Sequence, residues 1–173
     1  AMLTFFVVGS ASLWASEQSF LLNGLDSKVQ ISKPGKIDFV EPGDDIVNIL
    51  DISNPANPEL AANLLLSNSL FGPPTNLQIN PDESLALVTS AMKWEQKNDD
   101  WKPLPDNRLF IIDLEKKEPA LIDTIEVGLQ PSGIAISSSG RFALIANRAD
   151  KSVSVIAING KVVRLVQTVS VND

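Results

Sequence analysis

The stretch Pro74-Thr75-Asn76-Leu77-Gln78-Ile79-Asn80-Pro81-Asp82-Glu83-Ser84-Leu85-Ala86-Leu87-Val88-Thr89-Ser90 decides the reading of this chain, because it recurs. At an offset of 57 it lies over Pro131-Ser132-Gly133-Ile134-Ala135-Ile136-Ser137-Ser138-Ser139-Gly140-Arg141-Phe142-Ala143-Leu144-Ile145-Ala146-Asn147, with the apolar positions coinciding. Self-similarity at a fixed period is the signature of repeat architectures. A weaker copy is read at Val29-Gln30-Ile31-Ser32-Lys33-Pro34-Gly35-Lys36-Ile37-Asp38-Phe39-Val40, offset by 48 from Leu77. Each copy alternates apolar and polar residues with period 2, turns at Asn80-Pro81-Asp82, Ser139-Gly140 or Pro34-Gly35, and resumes as a second strand.

Downstream of each copy a third strand is expected at Ile46–Ile52, Arg108–Leu114 and Ser152–Ile158, followed by a turn and a fourth β-prone run. The fourth runs are Leu60–Leu66, Ala120–Val127 and Val162–Val171. Four short strands per unit, recurring every ~40–50 residues, is the period of propeller blades. The expected fold is all-β: about three four-stranded antiparallel β-propeller blades at 26–73, 74–130 and 131–173, forming an incomplete ring. An unrelated β-sandwich also uses many short strands, but it does not account for the repeated register. No window carries apolar residues at helical spacing with caps, which weighs against an α/β fold.

The quoted residues resemble the YVTN-type repeat of bacterial propellers, with Leu144-Ile145-Ala146-Asn147 and Leu87-Val88-Thr89-Ser90 at the name-giving segment. Asp113-Leu114 through Val127-Gly128 resembles the second half of that repeat. The resemblance covers about residues 26–173 and implies a secreted or periplasmic propeller. Its relatives include lactonases and the propeller parts of redox enzymes. A propeller needs about four to eight blades to close, and the chain stops where a further blade is expected, so additional blades are anticipated. Standing alone, three blades would expose sheet faces that favour self-association.

Composition bounds the chemistry. The chain has 173 residues, a net charge of −7, no His and no Cys. Acidic balance without clustered Lys and Arg weighs against a nucleic-acid partner, and the missing imidazoles and thiols weigh against zinc, haem or iron–sulfur sites. No metal and no cofactor is assigned. The apolar run Met2-Leu3-Thr4-Phe5-Phe6-Val7-Val8, followed by small residues to Ala15, reads as a signal peptide over 1–15, with 16–25 as a lead-in. It is shorter than the ~20 residues of a membrane span, so export to the periplasm or outside is expected, without a stable membrane span.

Candidate ligand contacts come from two places. Asn76 and Gln78 lie on the first strand of a blade, which lines the channel of a propeller. The insertion from Ala91 to Asp106 carries Trp94 and Trp101, whose rings suit either ligand contact or pinning that loop to its own blade. Asn147 and Arg148 fall at the equivalent turn of the last blade. Glu95, Asp99, Asp100 and Asp106 supply oxygens suited to calcium but lack the EF-hand spacing. A Ser-His-Asp triad is impossible without His, and no catalytic residue is assigned. The main expectation is a binding module for a protein, glycan or small molecule. The alternatives are a propeller-type lactone hydrolase, the propeller portion of a redox enzyme, and a structural surface-layer role.

Overall fold

A computed structural model of the chain describes residues 18–34, 36–39, 41–68, 76–98 and 100–171. The expected signal segment 1–15 lies outside them. The strands, in chain order, are β1 (Phe20–Leu25), β2 (Val29–Lys33), β3 (Lys36–Phe39), β4 (Ile46–Asp51), β5 (Glu59–Leu65), β6 (Leu77–Ile79), β7 (Leu85–Lys97), β8 (Asp100–Asp113), β9 (Ala120–Glu126), β10 (Pro131–Ile136), β11 (Phe142–Asn147), β12 (Ser152–Asn159) and β13 (Val162–Ser170). Three antiparallel sheets follow one another, ordered β1-β4-β5, β6-β7-β8-β9 and β10-β11-β12-β13, with β2 and β3 forming a separate hairpin. The protein is all-β and built of propeller-type blades, here called blades 1, 2 and 3.

Hydrogen bonding confirms the repeat at the offset of 57. Asn80 N–H donates to Leu85 O (3.0 Å) and Glu83 N–H to Asn80 O (3.0 Å); Ser137 N–H and Gly140 N–H make the same two bonds to Phe142 O and Ser137 O, each at 2.8 Å. Glu83 and Gly140 both take positive φ, 55° and 69°, which Gly adopts without a Cβ clash and Glu does not. A further recurrence was not visible in the sequence: the third and fourth strands of every blade share one bulge. It falls between Ile49/Leu50, Ile111/Ile112 and Val155/Ile156, positions equivalent by their place in the ladder. A bulge adds twist to the strand pair it interrupts, so this pair is twisted at the equivalent position in each blade.

The first blade departs from expectation. Ile52, Leu114 and Ile158 donate to Ser19 O, Ser84 O and Arg141 O (2.7, 3.0 and 2.8 Å), so Phe20 stands where Leu85 and Phe142 stand. The second strand of blade 1 is therefore β1, inside the stretch read as a lead-in. Val29–Phe39, read as the first strand pair of the repeat, pairs only with itself and sits in the connection between second and third strands. The physical reason is that period-2 alternation around a tight turn describes any hairpin, whether it belongs to a blade or is inserted into one.

Blade 2 supplies both walls of the interior. Leu85, Leu87, Leu109 and Ile111 face blade 3 and pack with Ile134, Ile145, Ile156 and Ile158. Ala86, Val88, Phe110 and Ile112 face blade 1 and pack with Phe20, Val47 and Ile49. Burial on both faces makes Leu85-Ala86-Leu87-Val88 a continuous apolar run rather than an alternating one. Each large side chain here contributes about 1.5–3 kcal/mol.

On the end carrying the turns after the first and third strands, Lys161 ties blade 3 to blade 2. Its ammonium donates to Ser84 O (2.6 Å) and stands 2.6 Å from Asp113 Oδ1 and 2.9 Å from Glu115 Oε2. Burial pushes the Asp113 carboxyl up, but the hydrogen bond from Lys161 and the Glu115 N–H outweigh it and hold the group below its ordinary range. Burial likewise pulls Lys161 down, and its bonds to Asp113 and Glu115 raise it above the ordinary lysine value. A depressed carboxyl stabilises the fold above its unfolded pKa and ceases to do so as pH falls through its folded value; a raised ammonium stabilises below its unfolded pKa and fades above it. Lys161→Met should thus cost roughly 1 kcal/mol near neutral pH. In denaturant titrations the gap to the parent should close well below pH ~3.9, the free-carboxyl value, and again above ~10.4. A gap that stays constant into strong acid would contradict the assignment.

Candidate ligand pocket at the upper end

Antiparallel order within a blade places the connection between second and third strands at the same end as the link to the next blade. At this upper end, between blades 1 and 2, a pocket of about 340 Å³ is lined by Lys28, Asp44, Asp45, Ser67, Lys93, Trp94 and Arg108, with Pro42, Gly43 and Leu65. Lys93 and Trp94 come from a ribbon. The insertion expected as a loop is the continuation of β7 and β8, paired from Met92↔Pro105 to Lys97↔Asp100.

A buried ionic cluster forms the floor. Asp45 Oδ1 accepts from Ser27 N–H (3.0 Å) and Ser27 Oγ–H (3.1 Å), and Oδ2 accepts from Asn68 N–H (3.1 Å) and from the Lys28 ammonium. Lys28 also donates to Asn68 O (2.5 Å) and lies 3.1 Å from Asp26 Oδ1. An ammonium has three donors and a carboxylate about four acceptor positions, so both groups are saturated. Neither is available as a general base; together they clamp the β1–β2 connection, the segment before β4 and the segment after β5 into one unit. Asn68 extends the clamp, donating from its amide to Leu25 O and Leu66 O, each at 3.2 Å.

Above this floor stand the groups that face the pocket. The Lys28 ammonium sits 5.5 Å from the centre of the Trp94 ring, fixing the indole by a cation–π contact. Arg108 is held by Asp106, with Nε 2.9 Å and Nη2 2.6 Å from Oδ2. Asp106 is buried. That burial pushes its carboxyl up, yet hydrogen bonds from Arg108, the Ser90 hydroxyl and the Asn107 amide hold it below the usual range. The guanidinium is thereby presented as a fixed cation. The pocket thus combines an aromatic face, the cations Lys93 and Arg108, the Ser67 hydroxyl and the exposed Asp44. Such a set suits a small, hydroxylated, anionic molecule.

The residues expected as ligand contacts separate. Trp94 lines the pocket; Trp101 shares its face of the ribbon but pairs with Gln96 further out and is not among the lining residues. Asn76 is buried, and its side-chain amide Nδ2 donates to Thr89 O (3.1 Å) while its backbone carbonyl accepts from Thr89 N–H (2.9 Å). Gln78 is exposed and turned to Ile79 O (3.4 Å). Asn147 is buried, donating to Ser152 Oγ (3.0 Å) and Ser154 Oγ (2.9 Å). Arg148 is exposed at a second hollow on blade 3, beside Lys151 and Val153. Asp106, considered for calcium, is committed to Arg108, and among the described residues no three acidic groups converge on a metal position. Lys28, Asp45 and Arg108 were missed; the one sequence signal was an aspartate placed just ahead of an expected third strand, Asp45 before Ile46 and Asp106 before Arg108, although Asp106 lies inside β8.

No protein-family model matches the chain, and no curated protein does so significantly. Solved structures do. A putative 6-phosphogluconolactonase from Bacteroides fragilis matches with TM-score 0.54 at 9% identity, over 82% of this chain and 44% of that one. The Pseudomonas aeruginosa periplasmic gluconolactonase matches with TM-score 0.51 at 20% identity, over 73% and 34%. A functionally unknown protein from Desulfotomaculum acetoxidans matches with TM-score 0.53 at 16% identity, over 71% and 34%. The likeness is one of fold. The matched region spans between a third and a half of those chains. No helix in the described residues is long and apolar enough to cross a membrane.

Proposed function

We propose that this chain belongs to a lactonase-type propeller and that its upper pocket binds a small sugar acid or the corresponding lactone. The observation that carries this reading is the convergence of Trp94, Lys93 and Arg108 above the saturated Lys28–Asp45 floor. An indole face suits the C–H face of a sugar ring, and paired cations suit a carboxylate or a lactone carbonyl. Support comes from two fold neighbours, the putative 6-phosphogluconolactonase and the periplasmic gluconolactonase. Hydrolysis would require a base that Lys28 and Asp45 do not supply, so the role assigned to these residues is binding. The YVTN-type repeat and an exported location belong to the same reading, supported by the repeated strand pairs and by the periplasmic neighbour.

Calorimetric titration with gluconate and gluconolactone should give saturable binding. Trp94→Ala should weaken it by about tenfold or more, as hot-spot aromatics do, with the unfolding midpoint little changed. Absence of binding by the parent chain to either compound would overturn the proposal.

A further inference from the structure

The chain contains two Asn-Gly pairs, Asn23-Gly24 and Asn159-Gly160, and the fold treats them in opposite ways. Asn159 closes the turn between β12 and β13, opposite Val162. It is exposed, and neither its side-chain amide nor the Gly160 N–H has a hydrogen-bond partner among the described residues. Gly160 takes a φ of 56°, the positive value wanted at the first position of a two-residue hairpin loop, and a β-carbon there would meet nothing within 4 Å. Asn23 instead lies within β1 opposite Asn48, and its amide donates to Asn48 Oδ1 (3.0 Å). The space beside Gly24 is filled: a β-carbon would stand 3.0 Å from Asn68 Oδ1 and 3.4 Å from Leu77 Cδ1.

We propose that Asn159 is a site of spontaneous deamidation, set by the open turn rather than by the Asn-Gly pair alone. The Gly160 nitrogen, after giving its proton to hydroxide, attacks Asn159 Cγ. The N–Cγ bond forms, the Cγ–Nδ2 bond breaks, and the nitrogen leaves as ammonia with a proton from water. Water then opens the cyclic imide at either carbonyl, leaving aspartate or an isoaspartyl linkage. No oxidant, reductant or partner is needed. The attack requires a side chain free to swing onto a backbone nitrogen that is neither bonded nor shielded by a β-carbon, and Asn159-Gly160 meets each condition. At Asn23 the amide must first give up Asn48, inside a strand whose backbone is fixed by its ladder.

The site stays accessible when a neighbouring blade is in place. Leu114 and Ile158 make equivalent bonds to Ser84 O and Arg141 O, so Asn159 stands where blade 2 carries Glu115, whose side chain remains 67% exposed with blade 3 packed beside it. That equivalence also shows that the fold accepts a carboxylate at this turn. The acid formed would share its hollow with Arg141 and Arg164, two cations suited to it. The isoaspartyl product lengthens the backbone at the pair that closes the β12–β13 turn and should loosen it.

Peptide mapping by mass spectrometry of the full chain, held folded in mildly alkaline buffer or unfolded in urea, tests this. In the folded chain Asn159 should gain the mass of an NH2-to-OH exchange several-fold faster than Asn23, and in urea the two should react alike. On isoelectric focusing a more acidic band should grow, co-migrate with Asn159→Asp and be lost in Asn159→Gln. The proposal is overturned if Asn159 stays intact in the folded chain while it reacts in urea, if Asn23 keeps pace with it in the folded chain, or if the acidic band persists in Asn159→Gln.

Discussion

Replacing Asp45 by Ala is expected to cost about 3–5 kcal/mol of folding stability, the magnitude for stranding one partner of a buried ion pair. The carboxylate accepts from two backbone N–H groups, the Ser27 hydroxyl and the Lys28 ammonium at once, and its side chain is only 4% exposed. Removing it leaves Lys28 with Asp26 and Asn68 O, and leaves the N–H groups of Ser27 and Asn68 without their acceptor. Asp45→Asn keeps the volume and one acceptor oxygen, so it should be less damaging. Urea titrations of the three proteins decide this. A loss below about 1 kcal/mol for the alanine variant would place the cluster among exposed pairs of small net effect, contrary to its burial. The same variant should also lower sugar-acid affinity, because the Lys28 that steadies Trp94 would no longer be fixed.

Gly128→Ala should lower stability by roughly 1–3 kcal/mol, as overpacking in a tight interior does. The glycine lies in the link from blade 2 to blade 3. A β-carbon there would stand 2.5 Å from Asn147 Cγ and 2.8 Å from Asn147 Cβ, closer than non-bonded carbons approach. Asn147 has little room to yield, since Ser152 and Ser154 hold its amide and it is buried. The close approach, rather than a special backbone angle, is what requires glycine. In an Asn147→Ala background only the 2.8 Å neighbour remains, so the penalty should shrink without vanishing. Equal penalties in both backgrounds, read from denaturation midpoints, would show that the contact is not the cause.

Blades 2 and 3 were legible because their defining turns carry chemistry that recurs: Asn80 and Ser137 both take the backbone N–H that starts the next strand, Leu85 and Phe142. Blade 1 was misread because nothing in Val29–Phe39 distinguishes an inserted hairpin from a repeat, while Phe20–Leu25 lacks the alternation that marks a half-buried strand. The ribbon was read as a loop owing to its prolines and charges. Its period-2 pattern, Met92, Trp94 and Gln96 against Lys93, Glu95 and Lys97, was present all the same. Trp94 could be singled out as an aromatic on an insertion. The floor beneath it could not, because Lys28 and Asp45 are joined across 17 positions and each alone reads as an ordinary surface charge. Asn76 and Asn147 have the composition of channel-lining residues, yet backbone and serine partners turn their amides into the structure.

Blade 2 is the keystone of this arrangement. Its left and right faces belong to separate oily interiors, so harm to either outer blade strips one wall and spares the other. Harm to β7 or β8 strips both. The middle blade must satisfy two neighbours with one set of side chains.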